Sequence, residues 1–74
     1  MDNAIPIEKQ RLILAQMMRE WQQRSFAATV NAKVAAKLGD EQMRDQATAQ
    51  LKQAEAALIV LEEELQQRIE KETD

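Results

Sequence analysis

The feature that most constrains this chain is how little of it can interrupt a helix. Ala, Gln, Glu and Leu make up about half of its 74 residues, and all four are strong helix formers. After Pro6 the one strong helix breaker is Gly39, and no segment alternates apolar and polar residues with the period of a strand. The sequence therefore predicts an all-α fold of two long helices that divide at Gly39.

The residues at the ends of the two helices suit those positions. Pro6 fits the first turn of a helix, where its missing N–H costs no hydrogen bond. Gly39 fits the left-handed residue that follows a helix, and Asp40 fits the N-cap of the next one. We therefore predict a single domain over residues 1–74, with helix 1 at about 6–38, a turn at 39–40 and helix 2 at about 40–72.

A turn this short makes the two helices antiparallel neighbours, and both carry an apolar line at coiled-coil spacing. On helix 2 the line is Met43, Ala47, Leu51, Ala54, Leu58, Leu61, Leu65 and Ile69. On helix 1 it is Leu14, Met17 or Met18, Trp21, Ser25, Ala28, Ala32 and Ala35. Residues 1–39 carry a net charge of +3 and residues 40–74 one of −6, which also favours their pairing. We expect a coiled-coil-like antiparallel hairpin.

Composition excludes most catalytic chemistry. The chain has no Cys and no His, and its single Gly rules out a glycine-rich phosphate loop. The run Glu62-Glu63-Glu64 does not gather carboxylates, because successive helical residues point about 100° apart; we interpret it as a solvated face. We expect no enzyme activity, no catalytic residues, no cofactor and no metal site.

A hairpin leaves apolar surface uncovered, because each helix can bury only one line against the other. Phe26, Val30 and Val34 follow one another at i, i+4 and i+8 on the side of helix 1 away from the predicted contact. Helix 2 adds a weaker back face that includes Ile59 and Val60. A chain this small, without disulfide or metal, needs association for stability, and apolar stripes mark interfaces. These five residues are the predicted partner interface. The sequence leaves open which apolar stripe forms the hairpin contact and which one lies on the outside.

The turn and helix 2 also resemble a known family. The similarity rests on Gly39-Asp40, a Gln-rich turn, and then Lys52, Glu55, Ala57, Leu58, Val60 and Leu61. At these positions the chain is similar to the small co-chaperones of type III secretion needle subunits (the YscE/PscE type), which are two-helix hairpins. The resemblance implies a cytoplasmic protein that binds and stabilises a TPR-like chaperone, which in turn holds the needle subunit before export.

Two other interpretations of the sequence remain open. The same stripe fits a self-associating hairpin, a homodimeric four-helix bundle with a structural or regulatory role. An RNA-binding bundle is the weakest alternative, because the basic residues of helix 1 are scattered and the whole chain has a net charge of −3. The N-terminal residues lack the pattern of a secretory signal, and the longest apolar stretch is far shorter than the roughly 20 residues that span a membrane. We therefore expect a cytoplasmic protein with no membrane contact.

Overall fold

The computed structural model describes residues 5–73, with side chains described for residues 5–70. Over this range the chain forms two α-helices, α1 (Ile7–Leu38) and α2 (Glu41–Thr73), and no strand. Pro6 is the N-cap of α1 rather than its first residue: its backbone is extended and its carbonyl accepts the Gln10 N–H at 2.9 Å. Helix 1 thus begins one residue later than predicted, while the all-α, two-helix architecture is confirmed.

The turn has the geometry that its residues predict. Gly39 has φ 71°, in the left-handed region that costs glycine little. Its N–H donates to the Ala36 carbonyl at 3.3 Å, and the Asp40 N–H donates to the Ala35 carbonyl at 3.0 Å, a bond pattern that closes a helix C-terminus. An Asp40 carboxylate oxygen accepts the Met43 N–H at 3.0 Å and so caps α2.

The two helices pack side by side along their length, in a rod with extents of 53 × 19 × 19 Å. Among residues 5–70 the buried ones all come from the two predicted apolar lines, and they are Ala28, Ala35, Ala47, Ala54 and Leu61. We call the contact between these lines the seam. Met18 belongs to it as a half-buried residue, whereas Met17 is 39% exposed. The predicted hairpin and its seam are therefore confirmed, with Met18 rather than Met17 on the contact.

The seam buries little apolar area, because most of its buried residues are alanines. Small side chains near the Gly39 turn let the two helices lie close where the short connection holds them together. Leu61 is the one large side chain in the buried set, and no large side chain in the described part of the chain is completely covered. Because hydrophobic stabilisation scales with the apolar area removed from water, such a seam gives the hairpin only a modest stability of its own.

A polar contact joins the helices at their open end, far from the turn. The Arg68 Nε–H donates to Gln10 Oε1 at 3.0 Å, and the Gln10 amide donates to the Ile5 carbonyl at 2.8 Å. Arg68 also pairs with Glu64 one turn earlier, with its Nη1 at 2.7 Å from Glu64 Oε1. Arg68 therefore links the C-terminal part of α2 to the beginning of α1.

Candidate partner interface

The candidate interface lies mainly on the outer side of α1. Val30 is two residues from both Ala28 and Ala32, which lie on the seam, and at about 100° per residue it points about 160° away from each of them. Phe26 and Val34 lie one turn on either side of Val30 and share its face. We call Phe26, Val30 and Val34 the outer stripe; it runs for about 12 Å along the helix.

All three side chains of the outer stripe are open to solvent. Phe26 is 71% exposed, Val30 40% and Val34 41%. The exposure of Phe26 is unusual, because aromatic side chains bury large areas when a partner surface exists. Phe26 and Trp21 are the two aromatic residues of the chain. Nothing within the described hairpin covers the stripe, which is therefore open to a contact from outside the hairpin.

The other two predicted interface residues lie on a different helix. Ile59 is 57% exposed and Val60 54% exposed, and both follow Leu58, a half-buried residue of the seam. At about 100° per residue they turn away from α1 on the two flanks of the outer surface of α2. The structure therefore brings Phe26, Val30 and Val34 together on one face but does not join Ile59 and Val60 to that face.

Basic side chains border the outer stripe. Lys33 and Lys37 are each three residues after a valine of the stripe, which makes them its neighbours on the helix surface, and both are exposed. Arg19 and Phe26 line the same shallow hollow of about 320 Å³, together with Gln22 and Gln23. The face that Phe26, Val30 and Val34 offer is thus apolar in the middle and positively charged at one edge.

A further apolar surface lies at the open end and was not predicted. Ile13 is 43% exposed and Met17 39% exposed, and Ile13 lines a hollow of about 240 Å³ with Ile5, Gln10, Leu14 and Arg68. The i, i+4 spacing of Ile13 and Met17 was the signal in the sequence. It is masked there because Leu12 and Leu14 flank Ile13, so that no single apolar face stands out.

The remaining described surface holds a cation–π contact and a run of three glutamates. The guanidinium of Arg24 lies 4.4 Å from the centre of the Trp21 ring and stacks on it as a cation–π contact. Glu62 and Glu63 are exposed, and Glu64 pairs with Arg68, so the three carboxylates diverge. Among the described side chains, residues 5–70, no group of three potential metal ligands lies close enough together to hold an ion. Neither helix, over residues 5–73, is long and apolar enough to cross a membrane.

Comparison of the chain with protein-family models, with curated proteins and with solved structures finds no match.

Proposed function

We propose that this protein is a non-catalytic interaction module that works by docking the outer stripe of α1 against another protein. The single observation that carries the proposal is the exposure of Phe26, Val30 and Val34 in a row on the side of α1 that faces away from α2. A row of apolar residues at i, i+4 and i+8 is the pattern by which a helix face recognises a groove or another helix.

The partner that we propose is a TPR-like chaperone of a type III secretion system, in the cytoplasm, with the needle subunit held by that chaperone. The support is the resemblance of Gly39-Asp40 and α2 to needle-subunit co-chaperones, together with the hairpin architecture. TPR proteins are stacks of helix pairs with extended concave surfaces, and a helix face of about 12 Å is a suitable ligand for such a surface.

The proposed role is stabilisation of the partner by mass action. A ligand that binds only the folded chaperone shifts that chaperone towards its folded state, by an amount that grows with ligand concentration. The hairpin is stabilised as well, because its own seam buries little apolar area and the contact with the chaperone buries more. Each protein then limits the exposed apolar surface of the other.

A homodimeric four-helix bundle is the second candidate. It is favoured by the exposure of Ile59 and Val60 on α2, which a partner seated only on α1 leaves uncovered. Two hairpins that bury surfaces of both helices would cover more of these side chains. The size of the free protein separates this candidate from the first.

The test is co-expression of the protein with a TPR chaperone of a type III secretion system from the same genome. We expect a 1:1 complex by size-exclusion chromatography with light scattering, and a higher yield of soluble chaperone than without the hairpin. The double variant Val30→Glu/Val34→Glu should lose the complex while keeping its helical circular dichroism, because both side chains point away from the seam.

A matched control adds the same charge to the other helix. Gln46 and Gln53 are exposed on α2, and the variant Gln46→Glu/Gln53→Glu should bind the chaperone as the wild type does. Unchanged binding by Val30→Glu/Val34→Glu would refute the outer stripe as the contact. A free protein that is a stable dimer at micromolar concentration, and that the stripe variant converts to monomers, would support the four-helix bundle instead.

A further inference from the structure

The charged side chains that border the outer stripe are basic. Between Trp21 and Gly39 the chain has three basic side chains and no acidic one. Lys33 and Lys37 lie along one edge of the stripe, each three residues after Val30 or Val34, and both are exposed. A partner that covers the valines must bring its own flanking side chains close to these ammonium groups.

We infer that the outer stripe docks an amphipathic helix of a different protein whose apolar face is bordered by Asp or Glu. The inference rests on the proposed function and specifies the partner surface. Opposite charges at the edge of an interface speed association and select the partner, whereas like charges exclude it. The short, straight row of Phe26, Val30 and Val34 matches the ridge that one helix presents to the groove of another.

A second copy of this chain fits the stripe less well. Two outer stripes that meet around a two-fold axis place the same patch on both sides of the contact. Lys33 and Lys37 of one copy would then approach Arg19 of the other, with no acidic residue between Trp21 and Gly39 to offset them. The same basic edge that attracts an acidic helix therefore opposes homotypic pairing at this face.

The experiment uses the whole protein and two synthetic helical peptides of about 20 residues. Both peptides carry leucines at the same positions along one face; the flanking positions hold Glu in one peptide and Lys in the other. Binding is measured by fluorescence anisotropy at low and at high salt. We expect the wild type to prefer the Glu-flanked peptide by about tenfold, and salt to reduce this preference.

Two charge-reversal variants locate the effect. Lys33→Glu/Lys37→Glu should invert the preference between the peptides. The matched control Arg44→Glu/Lys52→Glu makes the same change in net charge at exposed positions of α2 and should keep the wild-type preference. Val30→Ser/Val34→Ser should weaken the binding of both peptides, because the apolar contact is shared by both.

Several results would overturn the inference. Among the peptide results, these are equal affinity for the two peptides, absence of binding to either, and a preference that persists in Lys33→Glu/Lys37→Glu. Tighter binding to phosphatidylserine vesicles than to the Glu-flanked peptide, or a dimer that buries the stripe, would also contradict it. The proposed function fails separately. If Val30→Glu/Val34→Glu abolishes the chaperone complex but the wild type binds the two peptides equally, docking through the outer stripe is supported and the preference for an acidic partner helix is refuted. If the chaperone complex survives that variant, the proposed function falls even where the peptide preference holds.

Discussion

Two leucines of this chain offer a direct comparison between the seam and the outer surface. Leu61 is 6% exposed, in the seam, and Leu12 is 67% exposed, on α1. Truncation to Ala removes the same atoms at both positions. At Leu61 the loss of transfer free energy is about 2 kcal/mol and the cavity raises the total to about 2–4 kcal/mol. At Leu12 only about a third of the side chain is covered, so we expect a loss below about 0.8 kcal/mol.

The assay is urea unfolding of Leu61→Ala and Leu12→Ala, followed by circular dichroism at low micromolar concentration. Because a single core of this size supplies only about 3–5 kcal/mol, Leu61→Ala should move the midpoint most of the way to zero urea. A Leu61→Ala protein that is unfolded while Leu12→Ala is folded is the same result in a stronger form. Equal losses for the two variants, or a larger loss for Leu12→Ala, would refute the assignment of Leu61 to the seam and Leu12 to the solvent side.

The turn and the open end give three further predictions for the same unfolding assay. Gly39→Ala should cost about 1–2 kcal/mol from the left-handed backbone alone, since no atom lies within 4 Å of the added Cβ; Gly39→Asn should cost less, and an unchanged midpoint for Gly39→Ala would contradict the φ of 71°. Asp40→Ala should cost about 0.5–2 kcal/mol and Asp40→Asn much less, because an amide oxygen can still accept the N–H that Asp40 caps; equal losses would argue against the cap. Arg68→Met should cost about 1 kcal/mol or less, because the Arg68–Gln10 contact is partly exposed. In a double-mutant cycle with Gln10→Leu, a coupling energy of zero would show that the contact does not form.

The seam and the turn could be predicted from sequence because their signals are local and consistent. Steps of three and four residues put Ala47, Ala54 and Leu61 on one line of α2, and helical geometry then leaves no choice about which side they share. Gly39 is the one residue near the middle of the chain with a low cost at positive φ. Asp40 follows it at the position where a helix needs a side-chain acceptor for its unpaired N–H groups.

Which apolar line of α1 forms the seam was harder to predict. Periodicity identifies both the line through Ala28 and the outer stripe through Val30, and neither spacing is better. In the structure Ala28 and Ala35 are buried while Val30 and Val34 are exposed, because alanine lets two helices approach more closely than valine or phenylalanine does. This is a packing effect between residues far apart in sequence, which a single-helix pattern does not contain.

Other features depend on side-chain conformation and were outside the reach of sequence patterns. The Arg68–Gln10 hydrogen bond joins residues 58 apart, and its formation depends on the rotamers of two long side chains. The grouping of the five predicted interface residues also depended on the fold. The spacing of Ile59 and Val60 on α2 does not specify their position relative to α1; once the hairpin forms, they lie on the far side from the outer stripe.

The most direct test of the docking role is the solvent exposure of Phe26 itself. The chain has one phenylalanine, so fluorophenylalanine incorporation gives a single 19F signal that reports on this position alone. Its broadening by a soluble paramagnetic agent measures exposure, first in the free protein over a range of concentrations and then in the complex with the TPR chaperone. We expect an exposed fluorine at every concentration of the free protein and a protected one in the complex. A fluorine that is already protected in the dilute free protein, or that stays exposed in the complex, would contradict docking through the outer stripe.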